Sequence, residues 1–256
     1  MDCAHKPLVS VIMPAYNASQ YIAKSITSVQ AQTFTNWELI VVDDCSQDGT
    51  AQLVKEFAHN DFRIKLHCNA KNMGVAKTRN FALGLCRGEY VAFLDSDDIW
   101  RPDKIELQLE CFRQTGASLV YTSYAIVDSE GKKQCEDFIV PSNISLSDML
   151  MENVIGCSTV MISEELAKCN RFAEDYFHED YVLWMQLLQS GHKMVGIKKV
   201  LVDYFFHKDS KSANKLNSAK KRWQIYRDYL NLSMVKSFWY FAHYAFAGLR
   251  KYKNLK

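Results

Sequence analysis

The sequence predicts an α/β fold in which a mainly parallel central sheet is flanked by helices and followed by a C-terminal helical extension. Short apolar runs alternate with helical patterns through the first hundred residues, and several runs end in acidic or polar residues. With 256 residues, 48% of them hydrophobic, the chain can bury a large core. Strands that alternate with helices are typical of βαβ units, whose sheets bind ligands beyond the carboxyl ends of the strands.

The first half is predicted to contain four strands and three intervening helices. The strands are expected at residues 8–13, 37–42, 64–67 and 90–94, and the helices at 19–32, 50–58 and 77–85. Ser19 is expected to cap the first helix. Because parallel strands end at the same edge, the polar groups after Met13, Val42 and Leu94 should converge on one crevice.

The second half continues the same domain in this prediction. Helices are expected at residues 102–114, 145–152 and 181–189, and strands at 117–127, 158–162 and 194–206. Residues 1–207 are therefore predicted to form one domain, divided at about residue 116 into two halves. Residues 208–256 are basic and rich in aromatic side chains and are predicted to form a helical tail.

The cysteines and the N-terminal residues argue for a cytoplasmic protein. The eight cysteines are scattered and none forms a CxxC pair, so neither a zinc site nor a redox dithiol is expected. The first residues contain no apolar stretch typical of a signal peptide. No GxGxxG follows a predicted strand, which disfavours a dinucleotide-dependent dehydrogenase.

An acidic loop follows the fourth predicted strand. Asp95, Asp97 and Asp98 lie within four residues, where their charges repel unless a cation neutralises them. Carboxylate oxygens on a short loop are suited to Mn²⁺ or Mg²⁺ that also contacts phosphates. The alternative is a solvated acidic turn at the start of the following helix.

Two further stretches carry candidate ligand-binding side chains. Asp43 ends the second strand and could accept a hydrogen bond from a nucleotide base, whereas Asp48 is assigned to the Asp-Gly-Thr turn that follows. Arg79 lies one turn into the third helix, where its forked donors could reach a phosphate. An ordinary surface arginine is the alternative for Arg79.

Five stretches in this order resemble glycosyltransferase family 2, whose members have the GT-A fold. They are residues 10–17 (SVIMPAYN), 43–50 (DDCSQDGT), 72–80 (NMGVAKTRN), 95–98 (DSDD) and 178–184 (HEDYVLW). The resemblance spans roughly residues 7–207 and implies that residues 1–116 form the nucleotide-sugar half and residues 117–207 the acceptor half. It implies an inverting enzyme that moves a sugar from a nucleotide sugar, with UDP the expected nucleotide, to an acceptor hydroxyl.

The resemblance also implies roles for matching residues. Pro14, Ala15 and Tyr16 would line the nucleotide pocket, and Asp43 would bind the uracil edge. Arg79 would assist there or at the phosphate, Asp95 would contact ribose or metal-bound water, and Asp97 would ligate the metal. Asp180 would be the catalytic base.

Further site residues are expected around the base and after the last strand. Glu179 and Trp184 are candidate acceptor contacts, although an acidic helix start and a core residue are the alternatives. His207 is a candidate metal ligand, with an uninvolved loop histidine as the alternative. Lys208 and Lys211 could close over the diphosphate.

The tail holds twelve lysines and arginines against two aspartates, which favours a negatively charged partner. Its aromatic segment, residues 238–249, is too short to span a bilayer but is typical of a helix lying in the membrane interface. The alternatives are packing on the domain or a homodimer contact.

These features predict peripheral attachment to the inner face of the cell membrane, which would suit a lipid-linked saccharide acceptor. The resemblance implies a role in the assembly of O-antigen or another surface polysaccharide. Nucleic acid is not an expected partner. A non-catalytic nucleotide-sugar-binding or scaffold protein and a metal-dependent nucleotidyltransferase remain as alternative functions.

Overall fold

The computed structural model describes residues 8–128, 130–205 and 215–252. The strands of the described chain are β1 Val9–Ala15, β2 Trp37–Asp43, β3 Ile64–Cys68, β4 Tyr90–Phe93, β5 Ile99–Trp100, β6 Leu119–Val127, β7 Met161–Ser163 and β8 Met194–Phe205. The helices are α1 Ile22–Gln30, α2 Thr50–Asn60, α3 Val75–Leu83, α4 Lys104–Thr115, α5 Leu146–Met151, α6 Glu164–Cys169, α7 Glu179–Gln189, α8 Lys215–Gln224 and α9 Met234–Tyr252.

One mixed sheet of eight strands connects the described elements, in the order β3-β2-β1-β4-β7-β6-β8-β5. Strands β3, β2, β1 and β4 are parallel, β7 is antiparallel to both of its neighbours, and β6 is parallel to β8. The chain leaves β1 in one direction towards β3 and returns to β4 on the other side of β1. Ligands of open α/β sheets bind at such a reversal of strand order, beyond the carboxyl ends of the strands.

Both faces of the sheet are buried, which explains the continuous apolar runs. Strand β1 illustrates this arrangement, because successive side chains point to opposite faces. Ile12 joins the apolar cluster on one face, and Val11 and Met13 join the cluster on the other. All seven residues of β1 and all seven of β2 are buried. The predicted α/β architecture is confirmed.

Several predicted boundaries are wrong. Helix α1 begins at Ile22, and Tyr21 at its cap position makes no side-chain capping hydrogen bond. Ser19 is not the cap, because it lies in a turn where its backbone N–H donates to the Asp48 carboxylate at 3.1 Å. The strand expected at residues 158–162 is a 3₁₀ turn, Cys157–Thr159, followed by the short β7.

Two described elements were absent from the sequence prediction. Strand β5 has two residues and exists because it pairs with β8, about a hundred residues later, which no local pattern reveals. Helix α6 has six residues, and Ser163 caps it by accepting a hydrogen bond from the Leu166 N–H. By contrast, the predicted helix at 145–152 is confirmed as α5, where Ser145 and Asp148 form a capping box.

The C-terminal helices α8 and α9 pack on the domain. A π-helical turn, Ile225–Tyr229, joins α8 to the loop before α9. The Tyr226 hydroxyl donates to the Leu150 carbonyl at 2.5 Å, and α9 contacts α5. No helix in the described part of the chain is both long enough and apolar enough to cross a membrane.

Candidate active site

A cavity of about 620 Å³ opens where the order of the parallel strands reverses. Its walls come from the ends of β1 and β4, the start of α3, the loop before β7, the start of α7 and the inner faces of α8 and α9. Nucleotide-sized ligands occupy pockets of this volume. The cavity therefore brings together segments that lie more than 200 residues apart in the sequence.

The end of β1 forms one wall of the cavity. Pro14 and Ala15 lie in the last buried positions of the strand, and Tyr16 follows with half of its surface exposed at the cavity wall. Asn17 adopts a left-handed backbone conformation with φ of 48°, which turns the chain away from the strand. All three residues predicted to line the nucleotide pocket line this cavity.

Asp44, rather than Asp43, lines the cavity at the end of β2. Its carboxylate accepts hydrogen bonds from the Asn69 side chain at 2.7 Å and from the Met73 and Gly74 backbone N–H groups at 2.8 Å. Asp44 thereby fixes the loop before α3.

Asp43 is buried outside this cavity lining. One of its carboxylate oxygens accepts from the Ser46 N–H at 3.1 Å, and the other has no hydrogen-bond partner among the described residues. The assignment of Asp48 to a turn is confirmed, since its carboxylate accepts from the Thr50 N–H at 3.0 Å. Hydrogen bonds from Thr50 and Ser19, opposed by partial burial, lower the pKa of Asp48 to about 2.

The acidic loop after β4 presents Asp95, Asp97 and Asp98 to the cavity. Asp98 is almost fully buried and accepts hydrogen bonds from the Ser158 hydroxyl and, at 3.1 Å, from the Phe205 N–H. The Asp95 N–H donates to the same Ser158 hydroxyl at 3.0 Å. Ser158, which the sequence did not single out, therefore holds both ends of this loop.

Burial and neighbouring negative charge disfavour the ionised forms of Asp95 and Asp98. Burial, followed by the charges of Asp97 and Asp95, raises the pKa of Asp98 well above its usual range. Burial also raises the pKa of Asp95, against the opposing effect of Arg79 and with a further contribution from Asp97. A divalent cation at this loop would reverse that balance, because it favours every ionised carboxylate near it.

Arg79 connects the acidic loop to the start of α7. Its guanidinium is 4% exposed and donates to the Asp95 carboxylate and, at 2.6 Å, to the Glu179 carboxylate. It also lies over the Phe172 ring, 5.3 Å from the centroid. Both carboxylates belong to cavity-lining segments, so one buried arginine fixes the position of the acidic loop relative to α7.

Asp180 lines the cavity at the second residue of α7, beside Glu179. Acidic residues in the first turn are stabilised by the positive end of the helix dipole. The following residues of α7 are buried from Tyr181 to Met185, which anchors the helix in the core. Asp180 and the acidic loop thus face one cavity, although 82 residues separate Asp180 from Asp98.

The remaining candidates fall outside this cavity or outside the described residues. Trp184 is fully buried against Phe93 and Phe172, with ring centroids 6.0 and 6.2 Å away, so the structure favours the core alternative over an acceptor contact. His207, Lys208 and Lys211 lie outside the described residues.

The acidic loop fits a divalent cation that is shared with a bound ligand. Among the described residues, no group of three or more His, Cys, Asp or Glu side chains has the arrangement of a protein-only metal site. Mg²⁺ and similar cations are commonly held by one or two carboxylates together with substrate phosphates and water. Asp97, with Asp95 beside it, is the described group that would hold such a cation against a diphosphate.

Replacing Arg79 with methionine is expected to destabilise the fold by about 3–5 kcal/mol, because it removes the buried guanidinium that pairs with both the Asp95 and the Glu179 carboxylates. Urea unfolding measures the change. The matched control is Arg113→Met on the exposed side of α4, which should change the unfolding free energy by less than about 0.5 kcal/mol. Equal stability of the two variants would contradict the role assigned to Arg79.

Comparison with protein families and curated proteins gives consistent matches. The family model for glycosyl transferase family 2 matches residues 10–158. TuaG of Bacillus subtilis, a glycosyltransferase ascribed to teichuronic acid biosynthesis, is 38% identical over 96% of this chain and 98% of its own. WfgD of Escherichia coli, a UDP-Glc:alpha-D-GlcNAc-diphosphoundecaprenol beta-1,3-glucosyltransferase, is 37% identical over 97% of this chain and 98% of its own.

Solved structures share the fold. TarS of S. aureus (residues 1–349), in complex with UDP-GlcNAc, superposes with a TM-score of 0.72 at 23% identity. The match covers 86% of this chain and 64% of TarS 1–349. The mannosyltransferase PcManGT of Pyrobaculum calidifontis, in complex with GDP-Man and Mn²⁺, gives 0.70 at 18% identity, covering 98% of this chain and 76% of its own.

Proposed function

The chain belongs to glycosyltransferase family 2, and from this premise we propose that it transfers a sugar from a UDP-sugar to a hydroxyl of a saccharide linked through diphosphate to a polyprenol. The proposal is supported by the shared cavity, whose lining includes both the acidic loop and Asp180. Family membership decides against the nucleotidyltransferase and scaffold alternatives.

In this proposal the donor lies along the ends of β1 and β4. Pro14, Ala15 and Tyr16 line the nucleotide part of the cavity, and Asp44 holds the loop that closes it. The sequence assigned Asp43 to the uracil edge. In this proposal Asp43 does not contact the donor, because it is buried and does not line the cavity. A donor diphosphate then lies beside Asp95 and Asp97, where a bound Mn²⁺ or Mg²⁺ would neutralise the leaving group's charge.

Asp180 acts as the general base in the proposed reaction. The acceptor hydroxyl attacks the anomeric carbon from the face opposite the diphosphate, and the bond to the diphosphate breaks with inversion. Asp180 accepts the hydroxyl proton, since an alcohol is a poor nucleophile at neutral pH. Arg79 is a positioning residue, because its guanidinium is engaged by Asp95 and Glu179.

A panel of nucleotide sugars tests the donor assignment. The protein is incubated with Mn²⁺ and UDP-, GDP- or dTDP-sugars without an acceptor, and nucleoside diphosphate release is measured. We expect slow hydrolysis of at least one UDP-sugar and its loss when the cation is chelated. Hydrolysis of a GDP- or dTDP-sugar only would reject the uracil assignment, and the name of WfgD supports UDP-glucose as the first donor to try.

The acceptor assignment is supported by the name of WfgD and by the outer surface of α9. Large apolar side chains are exposed on this helix, in particular Val235 (80% exposed), Trp239 (60%) and Phe246 (69%). At roughly 100° per residue these side chains share one side of the helix, away from Tyr244, Ala247 and Gly248 in the cavity wall. We propose that this outer surface lies in the interface of an anionic membrane, on its cytoplasmic face.

The double variant Val235→Glu/Trp239→Glu is expected to lower binding to anionic vesicles at least about tenfold, because it places two charges in the apolar contact. Co-sedimentation with phosphatidylglycerol vesicles measures the effect. Phe62→Glu is the matched control, since Phe62 is an exposed aromatic residue on the loop after α2. Undiminished binding of the double variant would reject the membrane role of α9.

A further inference from the structure

Arg222 of α8 is a buried cation whose donors are not all engaged. Its side chain is 2% exposed and lines the cavity. Neither Nε nor Nη1 has a hydrogen-bond partner among the described residues. Its guanidinium stacks on the Tyr181 ring at 3.4 Å from the centroid and lies 4.8 Å from the centroid of the Tyr244 ring. Two aromatic faces therefore hold the guanidinium in place while two of its nitrogens lack acceptors.

Ser218 adds a third unsatisfied donor to the same position. It lies four residues before Arg222, hence on the same side of α8, and it also lines the cavity. Its hydroxyl is buried and has no hydrogen-bond partner in the described part of the chain. Burying polar groups without partners costs several kcal/mol when one of them is charged, so such a group of donors is retained where a ligand completes it.

An anionic oxygen ligand fits these donors. An arginine fork and a hydroxyl are common partners of phosphate oxygens, and arginine cannot lose its proton to relieve its burial. Arg222 stacks on Tyr181, the residue that follows the proposed base Asp180, and the Ser218 carbonyl lies 3.3 Å from His178 Nε2, just before α7. The donors thus lie beside the start of α7, which carries the proposed base.

We propose that Arg222 and Ser218 bind a phosphate group of the acceptor, the one that joins its saccharide to the lipid. This inference rests on the proposed function. A phosphate held here places the attached sugar near Asp180, and the lipid leaves along α9, whose inner residues Tyr244, Ala247 and Gly248 line the same cavity. Arg222 would therefore select diphosphate-linked acceptors over neutral glycosides.

Binding of a lipid diphosphate that carries no sugar tests this inference independently of the unknown glycan. The probe is dodecyl diphosphate, titrated by calorimetry below its micelle concentration into protein saturated with UDP and Mn²⁺. We expect Arg222→Gln to weaken its binding at least about tenfold, Ser218→Ala a few-fold, and Arg222→Lys by an intermediate amount. The matched control Lys220→Gln removes an exposed charge from the same helix and should leave binding unchanged.

The affinity for UDP, measured first, separates this inference from the proposed function. Failure of the unaltered protein to bind UDP rejects the proposed function. Unchanged UDP affinity with selective loss of dodecyl diphosphate binding supports the inference. Loss of UDP affinity in Arg222→Gln would instead assign the arginine to the donor diphosphate and overturn the inference. Equal binding of dodecyl diphosphate by all variants would also overturn it. If Arg222→Gln does not fold, the Ser218→Ala variant provides the test: weaker binding of dodecyl diphosphate supports the inference, and unchanged binding overturns it.

Discussion

The Asp180→Asn enzyme is expected to transfer sugar about 10²–10⁴-fold more slowly, because the acceptor hydroxyl loses its general base. The amide has nearly the same shape as the carboxylate and keeps its place at the start of α7. The affinity for UDP should stay within about twofold of the unaltered value, since the residues proposed to line the nucleotide part of the cavity belong to the end of β1 and not to α7. Steady-state kinetics with both substrates, together with a UDP titration, measures both effects.

The matched control for this variant is Asp175→Asn. Asp175 is exposed and precedes α7 by four residues, so the same chemical change occurs in the same region but outside the cavity lining. Its activity should be unaltered. Full turnover by Asp180→Asn would remove Asp180 from the reaction and leave Glu179 as the acidic residue of this segment to consider.

Asp97→Asn is expected to lower the transfer rate by about 10²–10³-fold, because a cation-neutralised diphosphate leaves several kcal/mol more easily than an uncompensated one. The variant should also need a far higher Mn²⁺ concentration for UDP binding. Titrating Mn²⁺ at fixed UDP measures this dependence directly. The control is Asp228→Asn, which changes an exposed aspartate in the π-helical turn after α8.

An Asp97→Asn enzyme with an unaltered Mn²⁺ requirement would contradict the role of the acidic loop in holding the cation. In that case the cation would have to be bound by other groups of the cavity, and the repulsion within the Asp95–Asp98 loop would need another explanation. The same titration on His207→Ala tests the ligand that the sequence predicts after β8.

Local patterns in the sequence predicted the parallel half of the sheet and its crevice. Apolar runs predicted β1, β2 and β4, and the acidic residues after β4 indicated the edge of the sheet at which the cavity opens. The resemblance to a family placed Asp180 in the same site, which no periodicity could do, since an acidic pair at a helix start is common. The structure adds the side chain of Arg79, which pairs with Asp95 of the acidic loop and with Glu179, the residue before Asp180.

Other parts of the site depend on contacts that a single sequence does not reveal. Ser158 and Asp98 meet across sixty residues, and the Ser158 hydroxyl gives no local signal. Asp43 and Asp44 are adjacent acidic residues that are both buried, and only the folded structure shows that Asp44 lines the cavity and holds the loop before α3. Arg222 belonged to a basic tail in the sequence, but packing of α8 on Tyr181 makes it a cavity residue.

In the proposed reaction, a cation-bound donor diphosphate and Asp180 act on the same sugar from opposite sides of one cavity. A crystal structure with UDP and Mn²⁺, using the anomalous signal of manganese, tests it most directly. We expect an anomalous peak in contact with the Asp97 carboxylate and the UDP diphosphate, with Asp180 across the space that the sugar would fill. A peak away from Asp97, or a diphosphate with Asp180 and Asp97 on the same side, would contradict it.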